Sequence, residues 1–270
     1  MAIPRVLAIA GSDSGGGAGI QADLKAIAAC GGHGMTAITA LTAQSTIAVT
    51  GVHAVPPDFI AAQVRAVVED IGVDAVKTGM LGDLATIEAI ERALDLLPAQ
   101  TPLVVDPVMV AESGATLLAP EARSALIARL LPHATIVTPN VAEAAALTRE
   151  EAWHDLTVVD VEALARAVHA LGPGAVVVTG GHRTNATDLF FDGEDVVEIP
   201  GERHPDGAAH GSGCTHASAL ATYLALGCKP LEAARNAKLV ASRAVRDGLR
   251  DLGAGAGPVN ALGVGSRPPD

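Results

Sequence analysis

A thiol, a glycine turn and the start of an apolar helix meet in one short stretch of this 270-residue chain, AAHGSGCTHASALATYLALG at 208–227. The Gly211-Ser212-Gly213 turn leads into an apolar run from Ala217 to Leu226 with the spacing of a buried helix. Glycines let several first-turn N–H groups converge, and those unpaired donors at the positive end of the helix dipole favour an oxyanion or a phosphate. Cys214 stands in the same turn, where the dipole lowers a thiol pKa and raises the thiolate fraction. Gly211, Ser212, Gly213 and Cys214 therefore read as a base beside an anion hole. They also read as an ordinary helix start, with Ser212 as N-cap and Cys214 as a small hydrophobe, and the residues alone leave both readings open.

Other polar groups fall where short apolar runs stop: Gly11 and Asp13, Thr42 and Gln44, Lys77 and Met80, Asp106, Asn140, and Thr179 to His182. The runs themselves predict strands at Val6–Ala10, Met35–Leu41, Ala75–Thr78, Leu103–Asp106, Thr135–Thr138 and Ala175–Thr179, with an extended piece at Val49–Val55. Helical periodicity falls between them at Ile20–Cys30, Asp58–Ile71, Asp83–Leu97 and Pro120–Leu131, from Val141 and Val161 onward, and at Pro230–Leu249. This βα rhythm predicts an α/β fold, a mainly parallel central sheet with helices on both faces. Phe190–Ile199, turning at Asp192-Gly193, predicts an antiparallel edge hairpin. In such a sheet a ligand lies outside the carboxyl ends of the strands, which puts the polar residues at one edge. Asp106 before Pro107 also suits a turn, and Asn140 with Glu143 also suits a capping pair.

Bulk properties exclude several classes. A net charge of −12 and 2% aromatic residues argue against a nucleic-acid partner. Three cysteines, Cys30, Cys214 and Cys228, form no CxxC pair, so a disulfide framework or zinc knuckle is not expected and a cytoplasmic location is. No segment approaches the apolar length of a membrane span, and the nine histidines show no metal-ligand spacing, which leaves His210 and His216 supporting roles. GAGIQA (17–22) matches G-x-G-x-x-A without an acidic residue near position 40, so a nicotinamide site is disfavoured, and no Walker-type loop occurs. The chain reads as one domain, 1–270, with a tail from 253 lacking clear structure.

Taken together, AIAGSDSGGGAGIQADLK (8–25), TAQST (42–46), KTGMLGD (77–83), VVDPVMVAESG (104–114), TPNVAEAAAL (138–147), TGGH (179–182) and HGSGC (210–214) resemble, in order and spacing, the hydroxymethylpyrimidine/phosphomethylpyrimidine kinases of thiamine biosynthesis, in the ribokinase-like superfamily. The resemblance implies a ribokinase-like three-layer sandwich, a homodimer, and transfer of the γ-phosphoryl of ATP, with Mg2+, to a hydroxymethyl group and then to the resulting phosphate. Gly211 to Cys214 would supply backbone donors, and Cys214 the proton acceptor. Asn140 and Glu143 would orient the hydration of Mg·ATP, with Asp106 adding charge on the metal side. Gln44 donates and accepts at once, which suits an aminopyrimidine edge. Gly11, Asp23 and Met80 are implied by the resemblance to line the same pocket. Thr179 stands where many relatives carry Lys, and Lys77 and Arg183 are candidates to replace that cation at the ATP phosphates. Two alternatives remain: a pyridoxal or pyridoxine kinase, and a non-catalytic pyrimidine-binding regulator.

Overall fold

Strands whose residues are buried on both faces must be covered on both sides, and the computed structural model, which describes residues 3–110, 117–148, 160–181 and 186–265, shows that arrangement. In chain order the elements are β1 (Arg5–Ala10), α1 (Gly19–Ala29), β2 (His33–Ile38), β3 (Ala40–Gln44), β4 (Val49–Ala54), α2 (Pro57–Asp70), β5 (Ala75–Thr78), α3 (Leu84–Leu94) and β6 (Leu103–Val105). Then follow α4 (Pro120–Ala125), β7 (Ile136–Val137), α5 (Val141–Thr148), α6 (Val161–His169), β8 (Val176–Val178), β9 (Asp188–Phe191), β10 (Val196–Ile199), α7 (Ser212–Ala225) and α8 (Pro230–Arg246). The main sheet runs β10-β9-β8-β7-β6-β5-β1-β2. It is parallel from β2 to β8, and the β9–β10 hairpin adds the expected antiparallel edge.

Side-chain alternation divides the core in two. Val6, Ala75, Val104, Ile136, Val177 and Phe190 face α1, α7 and α8. Their neighbours Leu7, Val76, Val105, Val137, Val178 and Phe191 face α2 to α6. The middle of α7 is buried and built from small residues, Ala217, Ser218, Ala219, Ala221 and Thr222, which let it lie between the sheet and helices α1 and α8. That burial fixes where the first turn of α7 points. Among the described residues, no helix is long and apolar enough to cross a membrane.

Four expectations change. The single strand expected at Met35–Leu41 is two: Thr39 donates its N–H to the Ala10 carbonyl and its hydroxyl to the Met80 carbonyl, and from Ala40 the chain pairs with β4 in a separate antiparallel ribbon. The helix expected over Pro120–Leu131 widens to a π turn at Leu126–Leu130 and tightens to a 3-10 turn at Leu131–His133, where Pro132 has no N–H to continue it. The helix expected to reach Leu249 stops at Arg246, because the Leu249 N–H turns to the Pro258 carbonyl. The tail, to residue 265, is not loose. Val259 and Asn260 are buried, the Asn260 N–H bonds the Ala244 carbonyl, and His210 exchanges backbone bonds with Gly257 and Val259.

Candidate active site

Parallel strands end at one edge, and that edge collects Gly11 after β1, Met80 after β5, Asp106 after β6, Asn140 after β7 and Thr179 after β8. A Cβ at Gly11 would fall on the terminal methyl of Met80, which places the Met80 side chain directly over the β1 exit. Gln44 sits at an irregularity in β3. Its backbone is held at both groups by the Ser14 hydroxyl, at 2.7 and 2.8 Å, and its Oε1 lies 3.2 Å from the Thr42 hydroxyl. Ser12 donates to the Ala40 carbonyl at 2.8 Å and accepts from Thr42. The 11–15 loop therefore brings Gly11, Met80 and Gln44 around one wall.

Opposite stands the first turn of α7. Gly211 is its N-cap, in the left-handed region at φ 85°, and a Cβ there would collide with the Gly17 carbonyl oxygen. No side chain caps the helix, so Ser212 is not an N-cap. The Ser212 N–H is taken by the Ala209 carbonyl at 2.9 Å, and the Thr215 N–H by Gly211. Of the donors expected from sequence, the amides of Gly213 and Cys214 are the ones that a helix start leaves without intrahelical acceptors.

Behind this turn lies a buried charge cluster. Lys77 Nζ is 2.8 Å from Asp23 Oδ1 and 3.6 Å from Asp106 Oδ2, and Ser218 on α7 donates to Asp23 at 2.8 Å. Lys77 and Asp23 have no solvent exposure. This enclosure bears on where two expected site residues sit. Asp23, expected to line a substrate pocket, has its side chain turned to Lys77 and Ser218, and Lys77, expected to meet phosphates, faces the carboxylates of Asp23 and Asp106. Arg183 lies outside the described residues. Burial pulls the Lys77 ammonium down, but the Asp23 and Asp106 carboxylates offset it and hold it above the usual lysine value.

Cys214 departs from expectation as well. Burial pushes its thiol up to about 12, Asp23 and Asp106 push the same way, and Lys77 and the Gly19 N–H pull it down. The dipole and the lysine are outweighed by desolvation and two nearby carboxylates, so the resting group is a thiol, not the thiolate expected from its position in the turn.

Asn140 and Glu143 form a reciprocal capping pair at the start of α5, Asn140 N–H to Glu143 Oε2 and Glu143 N–H to Asn140 Oδ1, both at 2.9 Å. The capping reading is thus realised, at the strand-end edge that also holds Asp106. Thr179 bridges to Asn140 beside it, its N–H bonding the Pro139 carbonyl at 2.9 Å. Burial, then Asp106, push the Glu143 carboxyl up to about 8, and burial pushes Asp106 up to about 6. Asp106 Oδ2 is buried without a hydrogen-bond partner. Glu143, raised by burial and by Asp106, and an Asp106 oxygen that has no hydrogen bond and faces only the Lys77 ammonium at 3.6 Å, suit a cation that keeps most of its own water, as magnesium does. Among the described residues no three-ligand His/Cys/Asp/Glu group occurs.

Two pairings escaped the sequence reading. Asp13 is buried inside the glycine loop and pairs with His210. Asp188 accepts from the Gly180 N–H at 2.8 Å and from Lys238, with His216 Nε2 3.6 Å away and held neutral by burial, so the backbone next to Thr179 is anchored from α8. An acidic residue among glycines was a visible signal for the first. Nothing in sequence spacing pointed to the second, whose partners are 50 residues apart.

A family model described as phosphomethylpyrimidine kinase matches residues 13–260. The chain is 46% identical over 271 residues to the hydroxymethylpyrimidine/phosphomethylpyrimidine kinase of Mycobacterium tuberculosis (strain ATCC 25618 / H37Rv), covering 97% of this chain and 95% of that one. It is 47% identical over 257 residues to the enzyme of the same name from Rhizobium meliloti (strain 1021), covering 94% and 95%. Among solved structures it is similar to a pyridoxal kinase from Staphylococcus aureus in complex with ADP, at a TM-score of 0.87 and 34% identity over 98% of this chain and 96% of that one. A phosphomethylpyrimidine kinase from Clostridium difficile 630 gives a TM-score of 0.75 and 40% identity over 87% and 96%.

Proposed function

The chain belongs to the phosphomethylpyrimidine kinase family, and from that premise we propose that it phosphorylates 4-amino-5-hydroxymethyl-2-methylpyrimidine to its monophosphate and then its diphosphate, for thiamine biosynthesis. It is a ribokinase-like kinase that uses ATP. The observation that carries this reading is the opposition of two walls at one sheet edge: Gly11, Gln44 and Met80 on the acceptor side, and the open first turn of α7 with Cys214 on the other. In the first reaction the hydroxymethyl oxygen forms a bond to the γ-phosphorus, the bond to the β–γ bridging oxygen breaks, ADP leaves, and Cys214 in its thiolate form, the minor one at rest, accepts the hydroxyl proton and returns to the thiol. The amides of Gly213 and Cys214 stabilise the charge on the transferring group. Asp106 and Glu143 would hold Mg2+, which supplies charge neutralisation at the phosphates, and Asn140 keeps Glu143 in place. Thr179 offers its backbone strand end but no charge. Asp23 and Lys77 act from beneath, fixing Asp106 and the floor under Cys214.

The assay that tests this reading offers hydroxymethylpyrimidine, its monophosphate and pyridoxine side by side and measures ADP. Release with the first two supports it. Preference for pyridoxine would favour the second reading, which the likeness to a pyridoxal kinase supports. No ADP with any acceptor would leave a pyrimidine-binding regulator. Gln44→Ala should leave polar ring groups unpaired and cost about 1–3 kcal/mol of pyrimidine binding, read as a higher KM with kcat little changed. An unchanged KM would move the pocket elsewhere.

We place the protein in the cytoplasm as a single-domain homodimer, with no nucleic-acid or membrane partner. The exposed apolar residues Leu41 and Val52 on the β3–β4 ribbon, Ile47 in its turn and Phe59 on α2 support a second copy docking there.

A further inference from the structure

The glycine loop already holds an anion. Asp13, 2% exposed, accepts the N–H groups of Gly15 at 2.8 Å, Gly17 at 2.9 Å and Ala18 at 2.8 Å, and its fourth partner is His210 Nε2 at 3.2 Å. An ionised carboxylate only accepts, so Nε2 carries the hydrogen in this contact. Burial pushes the Asp13 carboxyl up, but His210 and the amides of Ala18 and Gly15 outweigh it and hold it below its usual range. Amides that a phosphate would otherwise take are thereby filled, and the loop is left to shape the acceptor side.

The same pair fastens that loop to the opposite wall. His210 immediately precedes the α7 turn, and its own N–H and carbonyl are tied to Gly257 and Val259. A Cβ at Gly17 would collide with the His210 ring, and one at Gly211 with the Gly17 carbonyl, so the two segments touch backbone to backbone. The Gly19 N–H, at the far end of the loop, is near enough to the Cys214 sulfur to pull its thiol down. One segment carries Gly11 beside Met80, and the other carries the Gly213 and Cys214 amides.

We propose that Asp13 and His210 are positioning residues, a buried strut that sets the separation between the acceptor hydroxymethyl group and the transferring phosphoryl group by locking the 11–19 loop to the first turn of α7. This rests on the kinase reading above. In-line transfer is sensitive to such a distance, since a displacement of about 1 Å costs on the order of 100-fold in rate without weakening either substrate's own contacts.

The test compares His210→Ala with His210→Gln, whose side-chain amide nitrogen replaces Nε2 at similar reach. His210→Ala should lower kcat about 10- to 100-fold, with KM for pyrimidine and for ATP each within about 3-fold, and ADP release should exceed phosphorylated pyrimidine as transfer to water competes. His210→Gln should return kcat to within about 3-fold of the parent and restore the one-to-one ratio. Amide hydrogen exchange gives an arm that needs no activity: His210→Ala should speed exchange in 11–19 and in 209–215 together, and His210→Gln in neither. A KM effect confined to one substrate, a glutamine variant no better than alanine, or faster exchange confined to 209–215 would overturn the strut. A parent protein inactive on every acceptor would instead overturn the kinase reading, with the exchange arm still deciding whether the two segments are coupled.

Discussion

Cys214→Ala should lower kcat by about 10²- to 10⁴-fold while the binding of pyrimidine and ATP changes little, the span expected for a lost general base. The buried thiol also gives this prediction a pH signature. Because burial pushes the group up to about 12, the reactive thiolate is a minor form near neutrality and grows tenfold with each pH unit below that value. The parent kcat should therefore climb between about pH 6 and about pH 9, and Cys214→Ala should lose the thiol's share of that slope and keep only the part set by Asp106 and Glu143. Cys214→Asp should regain part of the rate with a flatter profile, since a carboxylate is ionised throughout that range. In the resting protein Cys214 should react with iodoacetamide slowly although it is only half-buried, because its thiol is pushed up to about 12. Parent-like turnover by Cys214→Ala would reduce the thiol to packing at a helix start.

Lys77→Met should destabilise the fold more than any surface change, because it leaves Asp23 and Asp106 facing each other without a cation in a sealed site. Removing one member of a buried ionic group costs about 3–5 kcal/mol. At about 2–4 °C per kcal/mol for a chain of this size, Tm should fall by roughly 6–20 °C. The pH dependence has a definite sign. Both carboxyls are already raised by burial, and without the ammonium they rise further, so the folded state must either bind protons or bury unpaired charge. The deficit relative to the parent should be small near the unfolded carboxylate range of about 4 and grow as pH rises above it. Adding Asp23→Asn to Lys77→Met should recover part of the loss by removing one of the two charges. A Tm unmoved at pH 8 would mean that this cluster is not held in a dry interior.

What could be read from the residues was whatever repeats locally. The continuous burial of β1 and β5 to β8, the helices between them and the β9–β10 hairpin follow from unbroken apolar runs, helical periodicity and turn chemistry, and a parallel sheet then requires Gly11, Met80, Asp106, Asn140 and Thr179 to share one edge. The HGSGC turn and the Asn140–Glu143 capping pair were legible for the same reason, since each is set by neighbours a few residues apart. Only the tertiary structure decided which polar side chains face the ligand and which lie beneath it. Lys77 shares its strand face with Ala75, and that face is covered by α7, so its ammonium meets Asp23 from α1 and not solvent. Cys214 gains its high pKa from the desolvation that packing imposes and from carboxylates more than 100 positions away in sequence, effects a helix-dipole reading of the turn leaves out. The same holds for Asp13 with His210 and Asp188 with Lys238, because an electrostatic field depends on distance and burial, and sequence separation specifies neither.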